Sequence, residues 1–252
     1  MKPIALQLYT LRQKAKQDFV GVLKAVAEIG YAGVEPAGLH GMKPEEVRKV
    51  LDDLELVCCS THGPFPTRQT ISQRVDEAAA LGTTRIISGL GRDAFATADA
   101  CKASIDRLAE AAGLCAEAGM SFGYHNHWWE FQPLDDGQLP YEMMLQAVPK
   151  MYSQLDVYWA ANFGAVDVPA LVAKHAGRIP SLHVKDGPLV KDAPHQAVGT
   201  GKMDIPAVVR AADESVLEWL VVELDECATD MTEAVRESYK YLAGEGLGRG
   251  TR

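Results

Sequence analysis

The chain has 252 residues, 47% of them hydrophobic and 23% charged, with a formal net charge of −9 at pH 7. That apolar content is ample for a core, and an acidic balance without any Lys/Arg run argues against nonspecific binding to nucleic acid or to an anionic membrane surface. The cysteines Cys58, Cys59, Cys101, Cys115 and Cys227 form neither a CxxC pair nor an even framework, the usage of reduced thiols in a cytoplasmic protein.

The N-terminal stretch is too short and too polar for a signal peptide, and nothing approaches the ~18 continuous apolar residues of a membrane span. Residues 4–9 read as a first strand, followed by an apolar helical stripe from Phe19 that Gly30 stops. A second strand covers 32–36, and Pro44 opens a helix that carries Glu45 and Glu46 in its first turn. The third strand is 56–61, running into His62-Gly63-Pro64, with a helix over 71–81 closed by Gly82. Strand four is 85–89, and a long helix over 98–118 ends at Gly119.

The fifth strand leads into Gly123-Tyr124-His125-Asn126-His127-Trp128-Trp129-Glu130-Phe131, where an apolar approach gives way to imidazoles, an amide and a carboxylate. Side chains on a strand alternate with period two, so His125 and His127 are expected on one face. Further strands follow at 152–158, 179–184 and 219–224, separated by helices at 141–148, 168–175 and 205–212, and a last helix spans 231–242. Eight uninterrupted strand–helix units predict one domain over residues 1–243, a (β/α)8 TIM barrel, with 244–252 as a frayed tail. An open doubly wound sheet would carry a Gly-rich turn after its first strand, and Tyr9-Thr10-Leu11-Arg12-Gln13 contains no glycine.

Active sites of such barrels sit at the C-terminal strand ends. Those ends read Gln7 and Tyr9, Glu35, His62, Ser88, His125 and His127, Asp156, His183 and Lys185, and Glu223. Successive markers from Tyr9 to Glu223 fall 26 to 40 residues apart, one unit each. Asp156, His183, Glu223 and one group from the fifth strand supply mixed oxygen and nitrogen ligands for a divalent ion such as Mn²⁺, Zn²⁺, Co²⁺ or Mg²⁺. Such an ion polarises a carbonyl or alkoxide, while a neighbouring carboxylate moves a proton on the adjacent carbon. Each residue also has a plainer role available: a satisfied core histidine for His183, a structural ion pair for Glu223 or Lys185, a solvated loop charge for Glu130. His40, His175 and His195 read as surface residues.

Leu6-Gln7-Leu8-Tyr9, Gly33-Val34-Glu35, His125-Asn126-His127, Leu155-Asp156-Val157, His183-Val184-Lys185-Asp186, Gly199-Thr200-Gly201 and Val221-Val222-Glu223 together resemble the xylose isomerase-like barrels. That family includes sugar phosphate isomerases/epimerases, inosose dehydratases and hydroxypyruvate isomerases. The resemblance implies a metal held by Glu, Asp, His and Glu from strands five to eight. Asp156, His183 and Glu223 match the last three, and His125 stands in place of the first. Beside that ligand set, Glu223, His62, Lys185 and Glu35 are the candidates for moving protons or holding oxygens, and Tyr9, His127, Trp159 and Glu130 the candidates for substrate contact. Trp159 departs from relatives that carry a sugar-binding histidine there, and offers a flat apolar wall instead. The implied activity is a metal-dependent sugar or polyol isomerase or epimerase working through an enediolate-type intermediate. The alternatives are a dehydratase or lyase on a keto-inositol or keto-sugar, and a noncatalytic sugar-binding barrel. Similar barrels are often dimers or tetramers, so a homo-oligomer is expected of the resemblance.

Overall fold

Period-two alternation sorts the strands into an apolar outer face and a polar inner one. The structure, a computed structural model, describes residues 1–251. In β1 (Lys2–Gln7), Ile4 and Leu6 join the apolar layer beneath the helices, while Ala5 and Gln7 face the other way. The same split recurs in β2 (Gly33–Glu35), β5 (Arg85–Ser88), β6 (Ser121–His125) and β7 (Tyr152–Asp156), where Val34, Ile86, Phe122, Tyr124 and Leu155 belong to that outer layer. In β8 (Ser181–Val184) and β9 (Trp219–Val222) it is Leu182, Val184, Leu220 and Val222 that do so. The inward set begins with a small apolar plug of Ala5, Cys59 and Val221 against Trp219 and continues upward into polar groups.

Every strand pair is parallel, and the order β3-β2-β1-β9-β8-β7-β6-β5-β4 runs round a barrel. Its ends are the two pieces of the third predicted strand. β3 (Val57–Cys58) pairs with β2, and β4 (Thr61–His62) pairs with β5. Amide bonds from Cys59 to Val34 (3.0 Å) and from His62 to Pro36 (2.9 Å) carry the chain across the break. Eight strand–helix units thus make one (β/α)8 barrel, as expected, with the third strand interrupted at Cys59–Ser60.

The helices follow their strands in order: α1 (Arg12–Ala15), α2 (Phe19–Ile29), α3 (Pro44–Asp53), α4 (Ile71–Ala80), α5 (Ala98–Glu117), α6 (Pro140–Ala147), α7 (Val157–Ala160), α8 (Val168–His175), α9 (Ile205–Ala211) and α10 (Met231–Gly244). Asp18, Thr97, Asp167, Asp204 and Asp230 cap α2, α5, α8, α9 and α10 by accepting backbone N–H bonds in the first turn. Gly30 ends α2 at φ 116°, a conformation that glycine adopts without a Cβ penalty. Gly123 answers a different constraint: a Cβ there would lie 2.3 Å from the Tyr152 ring of the paired strand. Among the described residues, no helix is long and apolar enough to cross a membrane.

Local polar bonds shorten two predicted strands. β1 stops at Gln7, whose side-chain oxygen accepts the Tyr9 N–H at 3.0 Å. β7 stops at Asp156, which caps α7 through the Trp159 N–H at 2.9 Å, so Trp159 sits on a helical turn. The expectation of a frayed tail is corrected over its described part. Leu247 is buried, β10 (Gly248–Arg249) pairs with Lys2 and Pro3 of β1, and the Thr251 N–H donates to Gly30 at 3.2 Å. Arg252 lies outside the described residues. The tail is held because its one large apolar residue closes over the bottom of the barrel. Burial of a leucine side chain is worth ~1.5–3 kcal/mol, and a protein of this size loses ~2–4 °C of melting temperature per kcal/mol. A chain truncated after Gly246 is therefore expected to melt roughly 5 °C lower by calorimetry; an unchanged melting temperature would show that the tail contributes nothing.

Candidate active site

The polar interior is built on one buried chain of charge. His183 at the end of β8 places Nε2 at 3.1 Å from Glu35 Oε1 and Nδ1 at 2.9 Å from Glu223 Oε2. Glu35, at the end of β2, also accepts from Gln7 and Gln154 amides at 2.5 Å each and from the Ser60 hydroxyl. The break in the third strand puts Ser60 where it can donate that bond. Burial by itself would push the Glu35 carboxyl up. The His183 imidazolium, its hydrogen bond and His62 outweigh that and hold it well below the ordinary carboxylate range. Burial would likewise lower the His183 pKa, but Glu35 and Glu223 raise it to about 10.

Above this chain lies a cluster with metal-ligand chemistry. His125, Asp156, His183 and Glu223 each offer one donor atom, all within 4.8 Å of one another. Strand register brings them level, because Asp156 pairs with His183, and His125 with Gln154. Gln154 fixes the His125 tautomer: its amide N–H is spent on Glu35, so its oxygen accepts from His125 Nδ1 at 3.2 Å. His125 Nε2 therefore presents a lone pair, 3.9 Å from Asp156 Oδ2. Burial, then the charge on His183 and His62, hold this imidazole well below its ordinary pKa.

Asp156 Oδ2 is sealed from water with no aligned hydrogen-bond donor, although Lys185 Nζ lies 3.0 Å away. Lys185 balances the charge at that distance, and the lack of an aligned donor leaves a lone pair on the oxygen available to a metal ion. Burial raises the Asp156 carboxyl to about 6 against the pull of Lys185. Lys185 also approaches Glu223 Oε2 at 3.1 Å and Asp225 Oδ2 at 2.9 Å. Burial disfavours its charge, but these three carboxylates keep its pKa well above the ordinary lysine value. An imidazole with a free lone pair, an orphaned carboxylate oxygen and two further donors fit a divalent ion.

A cavity of about 840 Å³ opens over the cluster at the C-terminal rim. Of the sequence-predicted residues, Tyr9, His62, His125, His127, Trp159, Lys185 and Glu223 line it. Asp156 and His183 lie beneath its floor, fully buried. Two expected roles are not supported by position. Glu35 is fully buried under His183 and does not reach the cavity, so it orients the imidazole and does not touch a substrate. Glu130 is also buried. It accepts from the Tyr124 hydroxyl at 2.6 Å and the His127 N–H at 2.8 Å, and burial pushes its carboxyl up to about 8. It shapes the loop after β6 instead of contacting the cavity.

His127 lies past the end of β6, stacked on Trp129 at 4.2 Å between centroids. Burial, and then Lys185, lower its pKa to about 4. Gln7, Gln154, His195 and Asp225 complete the site and were not singled out from sequence, apart from Gln7 as a strand end. The amides carry no charge signature, and His195 reads as one more loop histidine, yet only 3% of it is exposed and it lines the cavity.

No curated protein matches the chain in sequence. Among solved structures, a sugar phosphate isomerase/epimerase from Parabacteroides distasonis superposes with a TM-score of 0.79 at 25% identity, covering 98% of this chain and 96% of that one. An L-ribulose 3-epimerase superposes at 0.74 with 17% identity over 98% and 95% of the two chains. The IolI protein with a bound zinc atom superposes at 0.74 with 14% identity over 97% of each. Residues 23–244 match the profile of one family, described as the xylose isomerase-like TIM barrel. With the closed order of parallel strands and the polar rim at their C-terminal ends, that match identifies the chain as a member of the xylose isomerase-like TIM barrel family.

Proposed function

We propose that the protein is a divalent-metal-dependent isomerase or epimerase of a keto-sugar or polyol. The observation that carries this is the convergence of His125, Asp156, His183 and Glu223 within 4.8 Å, with His125 and Glu223 reaching the cavity from that cluster. These four residues would hold the ion, and two imidazoles beside two carboxylates suit zinc, manganese or cobalt better than magnesium. When bound, the ion supplies Lewis-acid polarisation of a substrate carbonyl and its neighbouring hydroxyl.

The chain's own residues supply the rest. Lys185 and His183 hold Glu223 well below the ordinary carboxylate range, against burial, so it stands as a carboxylate base at the cavity floor. Glu223 would take the proton from the hydroxyl-bearing carbon beside the carbonyl and return it to the former carbonyl carbon, while the hydroxyl proton passes to the former carbonyl oxygen, so that the carbonyl moves by one carbon. Lys185, fixed among Asp156, Glu223 and Asp225, donates to the oxygen on which negative charge develops. His62 and His127, which also line the cavity, would hold hydroxyl groups, and the Trp159 ring would pack against the apolar face of the sugar.

A single carboxylate base favours a one-base isomerisation, because a second carboxylate from the fifth unit is replaced by His125. A second reading, a dehydratase or lyase on a keto-inositol or keto-sugar, is favoured by Lys185 Nζ beside Glu223 Oε2 at 3.1 Å. That pairing puts a positively charged hydrogen-bond donor for the departing hydroxyl next to the base. Ketoses such as L-ribulose and D-allulose, and an inosose, are the substrates that separate the readings. One gives an isomeric sugar, the other an eliminated water. Tight sugar binding that survives chelation, with no turnover, would favour a noncatalytic barrel.

Glu223→Gln and His183→Ala are expected to lower turnover at least ~10³-fold with unchanged circular dichroism, and residual activity within tenfold of wild type in both would sink the assignment. Glu35→Gln keeps the cavity wall intact but weakens the bond that orients His183. It is expected to weaken metal binding by ~10–100-fold in competition with a chelating indicator, whereas a group contacting only substrate would leave metal affinity unmoved. Ion binding must also displace the proton from His183 Nδ1. Because its pKa is raised to about 10, the imidazolium dominates below that pH, and affinity should climb as pH rises. Release of one proton implies a slope of roughly tenfold per pH unit between about 6 and 8. A flat profile in calorimetric titrations would contradict Nδ1 as the donor atom.

A further inference from the structure

His195 belongs to the loop between β8 and α9, and it is tied into the barrel by its backbone. Its N–H donates to the Glu226 carbonyl at 3.0 Å, and it forms a bridge with Cys227, so the loop is stitched to the segment that follows β9. The ring is clamped edge-on by two aromatics of the β7–α7 turn, Tyr158 at 4.8 Å and Trp159 at 5.2 Å between centroids. It faces the cavity on the wall that carries Lys185 and Trp159.

Its protonation pattern follows from one bond. Nδ1 accepts the backbone N–H of Asp225 at 3.1 Å. A ring nitrogen that accepts a backbone N–H carries no proton of its own, and the ring's single proton then resides on Nε2. Nε2 has no hydrogen-bond partner among the described residues and is not one of the sealed polar atoms, so it looks into the cavity. The backbone amide cannot rotate away or reverse its polarity, unlike a carboxylate or hydroxyl partner. We propose that His195 is a tautomer-locked donor that grips a carbonyl or hydroxyl oxygen of the sugar through Nε2–H.

Burial, reinforced by the charge on Lys185, pushes this imidazole down to about 4, which agrees with a ring that donates one bond and carries no charge. Asp225 joins the two donors of this wall, since its backbone N–H locks His195 and its carboxylate holds Lys185 at 2.9 Å. The wall thus presents a charged donor and an uncharged one, both from the connection between β8 and α9. The substrate role rests on reading the cavity as a sugar site; the tautomer does not.

The test separates the two. Full-length protein labelled with [15N]histidine is expected to show His195 as the Nε2–H form in long-range proton–nitrogen spectra, its signals assigned by their loss in His195→Asn. An Nδ1–H or doubly protonated ring overturns the inference. L-Ribulose is then titrated calorimetrically into wild type, His195→Asn and His195→Gln. Asparagine can accept the Asp225 N–H from the Nδ1 position but presents nothing to the cavity, so binding should weaken roughly fivefold to tenfold. Glutamine places an amide N–H near the Nε2 position and should stay within about threefold of wild type. Equal binding by His195→Asn and wild type, or equal loss in both variants, overturns the donor role. A wild type that binds no ketose while showing the Nε2–H ring overturns the substrate role and locates the failure in the sugar reading.

Discussion

The Glu35–His183–Glu223 chain is the constraint on which the rest of the interior depends. Three buried carboxylates, Glu35, Asp156 and Glu223, share the barrel mouth with two buried cations, His183 and Lys185. Charges removed from water are tolerated only when paired and hydrogen-bonded, and removing one partner of a buried pair typically costs ~3–5 kcal/mol. The barrel meets that demand with neutral amides. Gln7 and Gln154 donate to Glu35, and Gln154 simultaneously accepts from His125. One glutamine side chain thereby connects the carboxylate that orients His183 to the tautomer of His125, so the two imidazoles of the cluster are set by a common network.

That network fixes His125 as a neutral imidazole beside the carboxylates of Asp156 and Glu223. An imidazole keeps a ligand atom in place without adding charge. Of the two carboxylates in the cluster, Glu223 is the one that faces the cavity. Lys185 compensates on the acid side, because its ammonium is held at full charge by three carboxylates and faces the same space. The cavity lining is accordingly mixed, with Glu223 and Lys185 beside the imidazoles of His62, His125, His127 and His195.

Much of this was legible from residue order alone. The eight units, the barrel and the strand-end positions of Asp156, His183, Lys185 and Glu223 follow from period-two alternation and from the cost of placing charges on apolar strands. What failed did so for identifiable reasons. Glu35 has the phase of a site residue and Glu130 follows a strand that ends at the site, but neither placement says whether a side chain stops below the floor or reaches above it. Both are buried by partners distant in sequence or by the loop's own fold. His195 reads from sequence as a surface residue of a loop that could lie over the site, since its partners Tyr158, Trp159 and Asp225 lie about thirty or more residues away and meet it only where α7 and the segments after β8 and β9 come together. The tail looked polar and glycine-rich, and its pairing with Lys2 and Pro3 joins opposite ends of the chain.

Sequence by itself determined the repeat, the outward apolar face, the helix stops and the set of residue types presented at the strand ends, because these depend on neighbours within a few positions. Only the tertiary structure decided which of those residues touch. It set His183 between two carboxylates, gave His125 a free Nε2, buried Glu35 and brought His195 to the cavity. The physical reason is that hydrogen-bond partners in a closed barrel come from different strands, and the register between strands, not the order along any one of them, sets those distances.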